Sequence, residues 1–186
     1  HAPISYLANE TIQKEKISGL KNYQQIFIAV LSLLFGILPD FDYTNDELPN
    51  IDILVVPSAE HSMGKDLNDT TLLNFIRKID TNALYMTSHC DGAFLLAKSG
   101  ILDSVASTTF PSDVENYKNM FPNLDVKDSV LFVHDGKYIT SAGGAKSFEA
   151  ALYLCEVLYG KEIAKSLAKG LVIEWNIEQV PHLTVE

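Results

Sequence analysis

The stretch YMTSHCDGAFLLA, Tyr85 to Ala97, constrains this chain more than any other. A run of β-forming residues stops at a cysteine, and a helix-forming run starts at once. A strand that turns straight into a helix crowds its own backbone, so small residues are needed two positions before and two after the turning residue. Ser88 and Gly92 stand at those positions. Ser88-His89-Cys90-Asp91-Gly92 therefore has the layout of a nucleophile elbow with Cys90 at its tip. Such a corner carries the thiol outside the sheet and aims the helix's first N–H groups at the sulfur. Both favour thiolate, the reactive form, and set the expectation of a pKa below the unperturbed value of about 8.5. The polar neighbours on either side argue against a plain core cysteine. Cys155 gets the opposite reading, because Ala151, Leu152, Leu154 and Leu158 surround it in sequence and place it in the core.

What flanks the corner sets the fold class. IDILVVP, Ile51 to Pro57, is a continuous β-branched run stopped by proline, the pattern of a central parallel strand covered on both faces. Leu72, Leu73, Phe75, Ile76 and Ile79 share a helix face between that strand and the corner. After the corner, SVASTT reads as a strand, and Ser112-Asp113-Val114-Glu115 as a capping box for a helix through Met120. SVLFVHDGKYITSAG reads as paired strands turning at Asp135-Gly136. KSFEAALYLCEVLYG is a strongly amphipathic helix ended by Gly160, and KEIAKSLAKGLVIEW a last helix. Upstream, Pro3 opens a helix ended by Gly19, and Gln25 to Leu31 reads as a strand. Strands alternating with helices imply an α/β sandwich with a mainly parallel sheet, whose ligands bind at the carboxyl ends of the strands. Cys90 lies at one such end and Ser58, Ala59, Glu60 and His61 at the end of the preceding strand.

Length and charge narrow the functions. The 186 residues fit one domain, and a formal net charge of −10 excludes a broad basic face for nucleic acid or for anionic membrane. Two distant cysteines make no disulfide framework, so a reducing compartment, the cytoplasm by default, is expected. The apolar run Ile26 to Leu38 is about 13 residues where a membrane span needs about 20. It reads as buried strand and subunit contact, with a homodimer formed through Leu31, Leu33, Leu34 or Phe35. The spacing of His, Cys and acidic residues matches no zinc motif, no glycine-rich phosphate loop is present, and no cofactor is expected. Gly143-Gly144 stands before a helix, where it could hold an anion but more simply makes a tight turn.

The blocks TSHCDGAFLLAKSGILD, ASTTFPSD, FPNLDV and YITSAGGAKSFEAALYLCEVLYG, with IDILVVPSAEH before them and LAKGLVIEWN after, resemble successive blocks of the ThiJ/PfpI superfamily. They come in the family's order and span roughly Pro39 to Asn176. That group belongs to the class I glutamine-amidotransferase-like fold, and the nearer resemblance is to the isonitrile-hydratase-like proteins and the domains fused to AraC-type regulators. The resemblance implies a flavodoxin-like three-layer sandwich, a homodimer and Cys90 as the elbow cysteine. It implies a small-molecule ligand or substrate, acted on by isonitrile hydration, glyoxalase or deglycase chemistry, amidase or peptidase action, or redox sensing. No helix-turn-helix pattern follows Asn176, so the reading is not of an AraC-type regulator.

The chain departs from that pattern at three places. Many relatives carry a histidine where Phe110 follows Thr108-Thr109, and a phenyl ring cannot take a proton. Relatives also open with a strand that delivers an acid to the cysteine, whereas HAPISYLANE resembles the helix after it. Residues 1–186 are thus expected to be a single domain lacking the family's first strand. Ser58-Ala59-Glu60-His61 replaces the usual glycine-rich loop. Its backbone can offer N–H groups to an oxyanion; Glu60 and His61 are either a solvated loop or proton carriers. His89 is expected to be structural. Asp91 offers its N–H as an oxyanion donor, while its carboxylate caps the helix and opposes the thiolate. The enzyme reading is then attack by the Cys90 thiolate on a small electrophile, with Ala59 and Asp91 N–H groups holding the developing charge and Glu60, His61 or an upstream acid moving the proton. The alternative is a ligand- or redox-sensing domain on the same fold. Phe110, held in register by Thr108 and Thr109, is expected to wall the Cys90 pocket.

Overall fold

The computed structural model describes Phe41, Thr44 and residues 48–185. The helix opened by Pro3, the Gln25–Leu31 strand and the apolar run through Leu38 lie outside the described residues. Strand β1, Ile53–Val56, is followed by helix α1, Thr70–Asp80, whose first turn is closed by the Asp69 carboxylate accepting the Thr71 and Leu72 N–H groups, each at 3.0 Å. Strand β2, Tyr85–His89, leads through the Cys90 corner into α2, Gly92–Lys98, and Gly100, with φ +79, turns the chain away.

Next come β3, Ala106–Ser107, α3, Val114–Met120, and β4, Asp125–Val126. Strands β5, Phe132–Asp135, and β6, Tyr138–Ser141, form the expected hairpin, with Gly136 (φ +60) and Lys137 between the paired residues Asp135 and Tyr138. Helix α4, Ser147–Tyr159, α5, Lys161–Gly170, and β7, His182–Val185, complete the chain. Gly160 separates the two helices at φ +88, a conformation that suits glycine alone. Among the described residues no helix is long and apolar enough to cross a membrane.

The main sheet runs β1-β2-β6-β5-β7. Neighbours β1, β2 and β6 are parallel, as are β5 and β7, and among the described residues only the β5–β6 hairpin of this sheet is antiparallel. Alternation along β2 divides the core. Met86 packs with Leu54, Val56 and the apolar faces of α1 to α3, while Tyr85 faces Phe132, Ile139 and Ala150 on the α4 side. The result is an α/β sandwich of the flavodoxin-like kind, with Cys90 at the turn from β2 into α2. In α2, Ala93, Phe94 and Leu96 are wholly buried, each large apolar chain contributing about 1.5–3 kcal/mol.

Three expectations are corrected. SVASTT forms only the two-residue β3, and it pairs with β4 in a separate small sheet. Side chains tie it to the main sheet instead: the Ala106 N–H donates to Asp135 Oδ2 and the Thr108 N–H to Thr140 Oγ1, both at 2.8 Å. The capping box does not form. Pro111–Asp113 makes a 3-10 turn into α3, and Ser112 Oγ reaches the Asp113 carboxylate rather than a helix N–H. Nor is α4 strongly amphipathic: Phe148, Val157 and Tyr159 remain exposed on it.

A Cβ on Gly92 would stand 2.0 Å from the Val56 carbonyl oxygen, an overlap with backbone that cannot rotate away. Gly92→Ala is expected to cost about 3 kcal/mol or more, lowering Tm by roughly 6–12 °C. Gly170→Ala, where nothing lies within 4 Å, should be neutral or stabilising by up to about 1 kcal/mol. Thermal melts of the two variants check this, and equal Tm values would show that the corner is not tight.

Candidate active site

Cys90 sits at φ +50, left-handed backbone that a non-glycine residue enters at a cost of about 1–2 kcal/mol. Its surroundings hold it there. The Cys90 N–H donates to the Ser141 carbonyl at 3.0 Å, and the Thr109 hydroxyl donates to the Cys90 carbonyl at 3.1 Å. The half-buried thiol meets the turn after β6: the Gly144 N–H donates to Sγ at 3.2 Å. Gly143 lies so close that a Cβ on it would stand 2.1 Å from Sγ, and its φ of +74 also favours glycine. The glycine pair thus does more than turn the chain. Both small residues of the elbow are confirmed, with Gly92 pressed on Val56 and Ser88 wholly buried.

His89 is tied into β6. Ser141 Oγ donates to the Ser88 carbonyl at 3.0 Å, so it must accept the His89 Nδ1–H, 2.6 Å away. Burial lowers the His89 pKa and keeps the ring neutral. Asp91 does not cap α2. Its carboxylate turns to the loop after β1, where Ser58 Oγ donates to Oδ2 at 3.0 Å, and its Oδ1 is shielded from solvent without a donor. The Asp113 carboxyl group meets that of Asp91. Burial first and Asp113 second push the Asp91 pKa up, while the Ser58 hydroxyl pulls it down.

The thiol pKa is a correction to the sequence reading. Burial pushes it up. The Gly144 N–H and, more weakly, the Asp91 N–H draw it down, and the charges of Asp91 and Asp113 raise it again. The net direction is upward. Cys155, also free and half-buried, packs against the Leu152, Ala164, Ala168 and Trp175 cluster, and burial raises its pKa too.

The loop after β1 is arranged around itself. The Ala59 N–H donates to Ser62 Oγ at 2.8 Å, and the Ser62 N–H returns a bond to the Ala59 carbonyl at 3.2 Å. An oxyanion would have to displace Ser62 to use it. Glu60 and His61 pair at 3.8 Å with side chains 83% and 40% exposed, the geometry of a solvated loop. Phe110 follows β3, and its ring reaches 3.8 Å from where a Gly144 Cβ would stand, beside the turn that holds the sulfur. A cavity of about 420 Å³, lined by Thr108, Thr109, Pro111, Val114, Leu131 and Pro181 among others, does not include Cys90. Among the described residues, no group of three or more His, Cys, Asp or Glu could hold a metal ion.

The sequence reading missed Asp113, which it assigned to a cap, and it placed Ser58 at the correct strand end without showing its bond to Asp91. It underread Gly144, whose doublet with Gly143 was the one available signal. The thiol balance gives a direct test. The rate of Cys90 alkylation by iodoacetamide should rise with pH through an inflection above that of a free cysteine, about 8.5. Peptide mass spectrometry follows Cys90 apart from Cys155, and an inflection below 8 would show that the N–H groups outweigh burial and the two carboxylates.

No family model matches the chain. It is 29% identical over 143 residues to the DJ-1beta protein of Drosophila melanogaster, covering 75% of this chain and 73% of that protein. The crystal structure of that protein aligns with a TM-score of 0.57 over the same shares. Isonitrile hydratase of Pseudomonas putida is 32% identical over 141 residues, 74% of this chain but only 56% of that enzyme. A ThiJ/PfpI family protein of Pseudomonas syringae shares the fold at a TM-score of 0.61 and 20% identity, over 69% of this chain and 52% of that one. With the ordered blocks, the sandwich and the strained elbow cysteine, these similarities make the chain a member of the DJ-1/ThiJ-PfpI superfamily.

Proposed function

We propose that the protein is a cysteine-dependent enzyme acting on a small electrophile, with Cys90 as nucleophile. One observation carries the reading: the chain holds Cys90 at φ +50 and brings the Gly144 N–H onto its sulfur. A buried structural cysteine requires neither. The thiol gives its proton to water or to Glu60 or His61, the sulfur attacks an electron-poor carbon, and the electron pair displaced onto the substrate heteroatom is met by the Asp91 N–H. Ala59 joins as a second donor once Ser62 is displaced. Glu60 and His61 lie exposed on the loop after β1.

We infer a hydratase, glyoxalase or amidase type of reaction, a hydrolase or lyase in class, on the isonitrile-hydratase-like branch; the similarity to isonitrile hydratase supports the first of these. The elevated thiol pKa and the phenyl ring of Phe110 favour a second reading, a sensing domain whose pocket binds a ligand without turning it over. Turnover of an isonitrile, a 2-oxoaldehyde and a primary amide separates the two. In the enzyme reading one class is consumed, and Cys90→Ser lowers that rate by roughly 10³-fold or more with the melting curve nearly unchanged. Equal rates in the two proteins would sink it, and binding without turnover would favour the sensor.

We also propose a homodimer. Phe148, Val157 and Tyr159 on α4 and Ile163 and Leu167 on α5 leave apolar side chains exposed, a surface that association would cover. Light scattering at micromolar concentration should give twice the chain mass; a monodisperse monomer would overturn the proposal.

A further inference from the structure

Among the described residues, the charges that bear on the elbow sulfur are all of one sign. Asp91 follows the nucleophile directly, and Ser58 fixes its Oδ2 at 3.0 Å. Asp113 is brought in from another element. The Asp113 N–H closes the Pro111–Asp113 turn on the Phe110 carbonyl at 2.9 Å, and the Phe110 ring lies beside Gly144, whose N–H holds the sulfur at 3.2 Å. The two carboxyl groups thus meet next to Cys90. Among the described residues, the charged groups that bear on the sulfur are Asp91 and Asp113, the one that bears on Asp91 is Asp113, and no cation offsets them. The nearest loop adds Glu60 and His61, which pair with one another and point to solvent.

Both side chains are carboxylic acids, and their charges bear on the sulfur beside them. We propose that Asp91 and Asp113 act as a charge filter on the Cys90 site, admitting neutral and cationic electrophiles and turning away anionic ones such as 2-oxo acids. An anion brought within roughly 6–8 Å of one net carboxylate near a protein surface is disfavoured by about tenfold or more. The inference rests on Cys90 being the reacting group. It narrows the substrates of the proposed enzyme to uncharged or positively charged small molecules. The Phe110 ring on the same rim agrees, because it offers an anion no hydrogen bond.

Iodoacetamide and iodoacetate test it on the whole protein without any knowledge of the substrate. Each is attacked by the thiolate at its methylene carbon, and iodide leaves with the bonding electrons. The reagents are close in size and differ chiefly in the charge at the far end. The readout is the ratio of the two rates at Cys90, followed by peptide mass spectrometry at low ionic strength. It is divided by the same ratio for 2-mercaptoethanol, which cancels both the intrinsic reactivities and the thiolate fraction. The normalised ratio should be about tenfold or more for the natural protein and should fall toward one with added salt. It should drop several-fold in Asp113→Asn and further in the Asp91→Asn, Asp113→Asn double variant, while Asp113→Glu keeps it.

A normalised ratio near one in the natural protein overturns the filter, and that reading needs no variant to fold. So does an equal fall in Asp113→Glu and Asp113→Asn, which would assign the effect to packing. Failure of the proposed enzyme would appear differently, as no turnover of any substrate class with the reagent ratio still high.

Discussion

Three backbones meet at the corner between β2 and α2 closer than side chains allow, and the site is built on that contact. Gly92 presses on the Val56 and Pro57 carbonyls at the end of β1. Gly143, at the end of β6, presses on Cys90 itself. Between them Cys90 is held at φ +50 by its N–H on Ser141 and its carbonyl under Thr109. The left-handed conformation costs about 1–2 kcal/mol, and each of those two hydrogen bonds returns about 1 kcal/mol. Regular pairing of β2 with β1 on one side and β6 on the other fixes the register that makes these contacts coincide. The strain is therefore sustained by the sheet, and the exposed face of the corner is left for chemistry.

The same geometry decides the state of the thiol. A helix N-terminus carries the equivalent of about half a positive charge, felt within its first turn. Helix α2 has 7 residues, and a carboxylate opens it. Burial raises the thiol pKa most, and the charges of Asp91 and Asp113 add to it, so together they outweigh the N–H groups aimed at the sulfur. The Gly144 N–H is the strongest opposing influence. A thiol under this balance stays protonated until a substrate or a proton acceptor draws the proton off. Its nucleophilicity, once formed, is correspondingly high, because a thiolate of higher pKa is the better nucleophile.

Much of this was legible in the sequence, for local reasons. The β-branched run of β1, the 3.6-residue periodicity of α1 and the small residues at 88 and 92 each report on contacts within a few positions. What was not legible depends on long-range register. Gly144 lies 54 residues from Cys90 and reaches it because Ser88 pairs with Thr140 and His89 with Ser141 across β2 and β6. Asp113 looked like part of a capping box, since Ser-x-x-Glu is scored from local spacing alone. In the folded chain, Pro111 begins a 3-10 turn there and the carboxylate swings toward the elbow. Ala59 illustrates the same limit. Its N–H stands on the correct loop, but nothing local shows that Ser62 takes it.

Parallel strands explain how one site collects so many unrelated pieces. Strands β1, β2 and β6 end at the same edge, so the loop at Ser58, the corner at Cys90 and the turn at Gly144 converge there, and β3 brings Phe110 and Asp113 alongside. The scaffold fixes where these loops meet but not what they carry, and chemistry follows the side chains. Two positions set the character of the site. Position 110 holds a phenyl ring where many relatives carry an imidazole that could bear a positive charge, and position 91 holds a carboxylate. Neither favours an anion, and neither removes the thiol. On the proposed reading, the electrophile attacked by the sulfur is therefore held by shape and by the backbone N–H groups of Asp91 and its neighbours rather than through a negative charge of its own.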